Sequence, residues 1–493
     1  MGSALVRWTV RLALLLLVAL AGFLAARAWY ARLMPPLERW HTFVPSEPDA
    51  AALDALDWRG WLEAEARVMA EVEREVVRDG EGDGPPPLDR YRRSSPIWPG
   101  RFAQDWNRSY LLEPEGTPVG AVVLLHGLTD APYSLRHVAR LYRERGWLAF
   151  GLRLPGHGTV PGALTAATVE DWVAATRLAV RAARARIGPE RPLHLVGFSN
   201  GGALALHHAL DALDDPDLPA PDRLILLTPM VGITEFARFA GIAGWPALLP
   251  AFAEAAWLAV LPEFNPFKYN SFPVNGAVQS HRLTRILQTR LRRLATDGRL
   301  AALPPVLTVQ SAVDFTVSAR AIVDGLYGLL PEGGHELVLI DVNRAGKLGP
   351  LLNPAARRAL DRLLPPPLPR PWRAIVVTSA GPEDPRAIAR IAEPGATEEE
   401  VRPLAIAWPR ELHSLSHVAL PFPPGDALYG SAPDGSEDFG IELGTVAARG
   451  EVGVLITPLD ALLRASSNPF FPYLLERIAA GIDDPAPRRR RAG

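Results

Sequence analysis

The residues with the plainest chemical potential are Gly197-Phe198-Ser199-Asn200-Gly201. A serine on a sharp strand-to-helix turn sits under backbone strain. Bulky side chains two residues to either side would clash, so glycine suits both flanks. A hydroxyl is a weak nucleophile at neutral pH. It needs an imidazole to take its proton and a carboxylate to orient that imidazole. The turn also aims a helix N-terminus at the serine, where the backbone N–H of Asn200 can bind a developing oxyanion. A glycine-rich turn that only packs a helix on a sheet would show the same pattern, so the neighbouring elements have to decide.

Those elements alternate. Leu193 to Phe198 reads as a strand that delivers the serine, and small residues after it read as a helix. Upstream, the apolar run Ala121 to Leu125 suits a strand buried on both faces and ends in His126-Gly127-Leu128-Thr129-Asp130. A helix over Tyr133 to Arg145 follows, then a strand over Trp147 to Leu152, then Pro155-Gly156-His157-Gly158. A long helix spans Val169 to Ile187, and Arg223 to Leu227 is the strand after the serine helix. This rhythm predicts an α/β fold with a mostly parallel central sheet and helices on both faces. In such sheets ligands bind at the carboxyl ends of the strands, where His126, Ser199 and Thr228 fall.

Residues 229–303 break the rhythm. They are rich in Phe, Trp, Pro and Ala around Asn265-Pro266-Phe267-Lys268-Tyr269-Asn270, too long for a simple crossover, and read as a helical cap over the site. An oligomer contact or a membrane-facing patch would explain the same composition. Strands resume at Pro305 to Gln310 and Glu336 to Asp341, with a helix over Ser318 to Leu329 between them and an extra strand at Ala374 to Thr378. The chain then passes Glu411 to Phe422, a helix near Pro469 to Ala480, and a basic tail at Arg488 to Arg491 expected to be solvated.

The 493 residues contain 48% apolar and 22% charged side chains, as a globular protein with a sizeable core requires. A net charge of −2 gives no bulk electrostatic case for nucleic acid. With no cysteine, disulfides, thiolate metal sites and cysteine catalysis are excluded. At the N-terminus, Leu12 to Ala26 carries no charge and lies between Arg7, Arg11 and Arg27, with Trp8, Trp29 and Tyr30 as interface anchors. It reads as a membrane anchor. A signal peptide cleaved near Ala26-Arg27-Ala28 and a buried helix are the alternatives. The N-terminus is expected inside and the bulk of the protein outside the cytoplasm, at the inner membrane. Asp57 to Arg78 reads as an amphipathic helix with Leu62, Met69, Val72 and Val76 on its apolar side and its glutamates mostly elsewhere, followed by a linker over Gly80 to Pro87; no chemistry is expected there.

Together, His126-Gly127-Leu128 after a strand, Pro155-Gly156-His157-Gly158 after the next, Gly197-Phe198-Ser199-Asn200-Gly201 and Asp314-Phe315-Thr316-Val317 resemble the α/β-hydrolase superfamily. Within it they are similar to the monoglyceride-lipase and serine-aminopeptidase-like bacterial hydrolases. The resemblance covers residues 110–345 and returns near 410–425. It implies a triad in chain order serine, acid, histidine. Asp314 takes the acid position past its strand, against a helix N-cap role or the later Asp341. His417, in Ser414-Leu415-Ser416-His417, follows every strand and takes the base position. His335 precedes its strand, and His413 lies one helical turn from His417. The second oxyanion donor is the backbone N–H of Leu128, beside that of Asn200. His126 and His157 are expected to hydrogen-bond loops around the site.

The expected organisation is an anchor or signal segment at 1–32, a helical extension at 33–109, hydrolase core at 110–228, the cap at 229–303 and core again at 304–345. An insertion at 346–410, C-terminal core at 411–482 and a basic tail at 483–493 complete it. The function expected is a membrane-anchored serine hydrolase cleaving carboxylic esters of small molecules or lipids, with no cofactor, no metal and no nucleic-acid partner. Amide cleavage, as in the aminopeptidase-like relatives, would call on Glu254 and Glu263 to hold a free amine. A binding scaffold without catalysis is the third reading.

Overall fold

The computed structural model describes residues 2–79, 88–232, 244–345, 352–364, 369–410, 412–445 and 467–483. The Gly80 to Pro87 linker, the prolines at 365–367 and the basic tail lie outside them. The chain opens with α1 (Gly2–Ala31) and α2 (Trp58–Glu75). Among the described residues, ten strands form one sheet in the order β1-β3-β2-β4-β5-β8-β9-β10-β11-β12. They are β1 (Tyr110–Leu112), β2 (Gly120–Leu125), β3 (Trp147–Leu152), β4 (Leu193–Phe198), β5 (Arg223–Leu227), β8 (Val306–Ser311), β9 (Glu336–Ile340), β10 (Arg373–Ser379), β11 (Arg386–Ala392) and β12 (Glu400–Ala407). Neighbours from β3 through β10 pair in parallel, while β1, β11 and β12 add antiparallel edges. A separate pair joins β6 (Trp257–Ala259) to β7 (Phe272–Pro273).

The inner strands are apolar throughout because both faces are covered. In β2, Ala121, Val123 and Leu125 face one core and Val122 and Leu124 the other. The first core also receives α4 (Val169–Ile187), α5 (Asn200–Asp214) and α6 (Val274–Thr296); the second receives α3 (Arg136–Glu144) and α7 (Phe471–Asp483). Helix α4 starts where expected because Thr168 and Asp171 form a reciprocal capping box, and Gly188 ends it at φ 73°.

Three expectations change. Helix α6 lies inside the segment read as a cap, yet Leu283, Leu287, Leu291 and Leu294 recur at helical spacing and are fully buried in the core beneath the sheet. Residues 274–296 therefore belong to the core. Within the segment read as an insertion, residues 373–407 belong to the main sheet: β10 continues its parallel part and β11 and β12 extend it. The hairpin is hard to read from sequence because Pro403 and the charged Glu400 and Arg402 interrupt the alternation of β12. In α2, Leu62 is exposed while Glu65 is buried, its carboxylate accepting from the Ser109 amide and hydroxyl and pairing with buried Arg153 at 2.9 Å. The N-terminal extension is thus locked to the loop after β3 by a buried charge, the one feature an amphipathic pattern hides.

Candidate active site

Strand β4 ends in the sharp turn. Ser199 holds φ 54° and ψ −114° as the cap of α5, a conformation a side chain adopts only when its surroundings enforce it. They do: the Ser199 N–H donates to Leu227 at 2.9 Å, and its carbonyl accepts from Met230 at 2.9 Å and Ala203 at 3.2 Å. A Cβ on Gly197 would lie 2.3 Å from the Gly201 carbonyl oxygen, and one on Gly201 only 1.9 Å from that of Leu125. Both flanking glycines are steric necessities. Asn200 is the first residue of α5, at the helix end whose amides lack intrahelical partners.

Across the sheet top, the loop after β8 carries Asp314 and the segment after β12 carries His417. His417 Nδ1 donates to Asp314 Oδ2 at 2.8 Å, and the carboxylate itself is fully buried. Its other oxygen accepts the N–H groups of Thr316 at 2.7 Å and Val317 at 3.0 Å, and Gln310 donates to Oδ2 at 3.1 Å. Burial pushes the Asp314 carboxyl up, but the His417 ring and these amides outweigh it and hold the group below the usual carboxylate range. With Nδ1 engaged, Nε2 is the nitrogen left for proton transfer. The His417 ring packs on Phe198, the residue before the serine, with centroids 5.3 Å apart.

Ser199 and His417 line one cavity of about 450 Å³, together with Leu128 and Thr129. Its far wall is mostly apolar, including Met230, Leu261, Phe264, Phe272 and Leu443, and among the described lining residues Lys268 is the cation and none is a carboxylate. Lys268 Nζ donates to Thr129 Oγ1 at 3.0 Å, and Tyr269 N–H to the Thr129 carbonyl at 2.7 Å, so the 265–270 segment is tied to the loop after β2. Composition alone had marked that segment; nothing local in the sequence marks Lys268, Ser280 or Tyr429 as cavity residues.

The rival residues lie elsewhere. His335 Nδ1 accepts from Val306 N–H at 3.2 Å at the start of β8, the opposite end of the sheet from Ser199. His413 is exposed, and its carbonyl accepts from Asn343. Asp341 accepts from Thr378 Oγ1 at 2.8 Å and pairs with Arg344. His126 donates through Nδ1 to Gly127 O at 2.9 Å and accepts Leu154 N–H at Nε2, and His157 Nδ1 donates to Pro155 O at 3.0 Å. Burial drives His126 well below the ordinary imidazole range and His157 down to about 3, so both are neutral struts of the loops. Glu263 is buried with its carboxylate accepting the amides of Asn270 and Ser271, and neither it nor Glu254 lines the cavity. Among the described residues no cluster of three or more His, Cys, Asp or Glu could hold a metal ion.

Residues 116–322 match the family described as serine aminopeptidase, S33. The chain has the α/β-hydrolase fold. A thermostable monoacylglycerol lipase from a Bacillus species is 29% identical over 181 residues, covering 36% of this chain and 67% of that enzyme. Among solved structures, one from a study of the lipolytic enzymes LipS and LipT shares 20% identity, covering 52% of this chain and 97% of its own, with a TM-score of 0.38. A monoglyceride lipase variant from Saccharomyces cerevisiae shares 14% identity over 47% of this chain and 81% of its own, at a TM-score of 0.36. The family match includes Ser199 and Asp314 and ends before His417, so the candidate base lies beyond the matched segment.

Proposed function

We propose that this hydrolase is a membrane-anchored serine esterase acting on lipid esters, with Ser199 as nucleophile, His417 as general acid and base, and Asp314 as the orienting carboxylate. The observation that carries the reading is the 2.8 Å bond from His417 Nδ1 to buried Asp314, on a ring that shares one apolar cavity with Ser199. Ser199 Oγ attacks the ester carbonyl as His417 Nε2 takes its proton. The oxyanion sits between the amides of Leu128 and Asn200. Collapse expels the alcohol, which takes the proton back from His417, and water then hydrolyses the acyl-enzyme by the same route.

The cavity's volume lies within the range of small-ligand pockets. Its apolar wall suits an acyl chain. The occupied Glu263 and the presence of Lys268 both disfavour a substrate with a free ammonium, which weighs against amide cleavage of the aminopeptidase kind. The apolar stretch Leu5–Ala31, unburied over its most apolar window, serves as a retained anchor, with the catalytic domain outside the cytoplasm. The hydrolase core then comprises 110–228, the sheet-forming parts of 304–410 and the segment after 411, with a cap confined to residues before α6.

Detergent-solubilised full chain offered a monoacylglycerol and an aminoacyl p-nitroanilide in parallel tests this reading. Turnover of the ester with none of the anilide is expected; preferential anilide cleavage would overturn the ester assignment.

A further inference from the structure

The C-terminal end of α1 does not stand free of the catalytic domain. The Arg27 guanidinium donates to the backbone carbonyls of Ala255 and Trp257, Arg32 stacks over Phe252 at 4.9 Å, and Ala31 is fully buried beside them. All these partners belong to the cap segment 245–257, which leads through β6 to Leu261 in the cavity wall. A second strap holds the same strand pair: His41 Nε2 bonds Ser271 Oγ at 3.0 Å, and the His41 ring meets Trp257 edge-on at 4.9 Å.

Depth fixes what this contact means. Leu12 to Ala26 is 15 residues, about 22 Å of helix against roughly 30 Å of hydrocarbon, so Arg27 is drawn to the edge of the bilayer rather than clear of it. A guanidinium at that depth needs partners, and here the cap's carbonyls supply them. The segment that solvates Arg27 must lie at the same depth. It presents the exposed Trp245 and Leu249, as the helix end presents the exposed Trp29 and Tyr30. Aromatic residues and leucine on such a surface match the headgroup boundary of a bilayer.

We propose that the cap segment 245–257 is a second membrane contact, docked on the end of the anchor and immersed in the lipid headgroup region. It holds the cavity at the bilayer surface so that substrate enters from lipid. The proposal rests on α1 being a retained anchor, and its test does not depend on catalysis.

Because the chain has no cysteine, a nitroxide can be attached at one site. Leu249→Cys and, as a control on the outermost strand β12, Val401→Cys are labelled in the full chain and reconstituted in phosphatidylcholine vesicles. At 249, accessibility to oxygen should exceed accessibility to a water-soluble nickel chelate, with the order reversed at 401. Equal, water-like ratios at both sites would overturn the proposal, as would an isolated chain whose mass lacks α1. With Arg27→Gln, the label at 249 should shift toward water; an unchanged depth would refute docking through Arg27. If instead the label reads lipid while no ester is turned over, the membrane contact stands and the catalytic reading falls.

Discussion

Asp314→Asn tests the triad through hydrogen-bond geometry rather than through loss of charge alone. Asp314 Oδ1 must be an acceptor, because the amides of Thr316 and Val317 point at it from 2.7 and 3.0 Å. In the variant, that position keeps the carboxamide oxygen, so the NH₂ group falls opposite His417 Nδ1. An NH₂ can only donate. The imidazole then has to place its proton on Nε2, facing Ser199, where it can no longer accept the hydroxyl proton. The same tautomer switch in a serine-protease triad costs about 10⁴ in kcat, which corresponds to about 5.5 kcal/mol of barrier. The assay is hydrolysis of p-nitrophenyl butyrate by the solubilised chain, with thermal melting to show that the fold persists. Asp341→Asn is the control: it disturbs Thr378 and Arg344 and should reduce stability with kcat within a few-fold of the parent. A kcat for Asp314→Asn within tenfold of the parent would refute the tautomer argument.

Other consequences are as direct. Gly201→Ala should prevent formation of a native elbow, since its methyl would stand 1.9 Å from the Leu125 carbonyl oxygen; a soluble variant with parental melting and activity would contradict the geometry. Glu65→Gln leaves buried Arg153 without one of its carboxylate partners and should destabilise the chain by about 3 kcal/mol, read as a lowered denaturation midpoint. Stability should also fall with acid. Burial lowers the folded-state value from 6.5 to about 4 for His41 and to about 3 for His157, so the unfolded chain binds more protons once the pH drops below 6.5. The loss should begin near pH 6.5 and grow down through those folded values; a denaturation midpoint flat between pH 7 and pH 5 would contradict it.

The sheet's first half was legible because its strands are mostly apolar runs separated by helices, and α4, with its capping box, and β5 begin and end at the residues their patterns indicate. The elbow was legible because its glycines are steric requirements. What the pattern concealed followed two rules. Helix α6 was taken into the cap because it continues an apolar insertion, and only burial of Leu283 through Leu294 separates a core helix from a cap helix. Strand β11 alternates in burial but builds its buried face mostly from alanine and isoleucine between arginines, and the outermost strand β12 is exposed along its first half and broken by Pro403, so neither reads as a strong apolar strand. Chain order points to His417 as the candidate base; His335 differs from it in sequence only by its place before a strand, which puts it at the far end of the sheet. Lys268 and Ser280 had no local signature, since a cavity wall is assembled by tertiary packing.

The central claim is that Ser199 is the nucleophile, and covalent labelling measures it most directly. The full chain is treated with a fluorophosphonate, digested, and the modified residue located by mass spectrometry. The account predicts a single phosphonylated site at Ser199, absent from Ser199→Ala and strongly slowed in Asp314→Asn. A phosphonate on any other residue, or labelling that persists in Ser199→Ala, would contradict it.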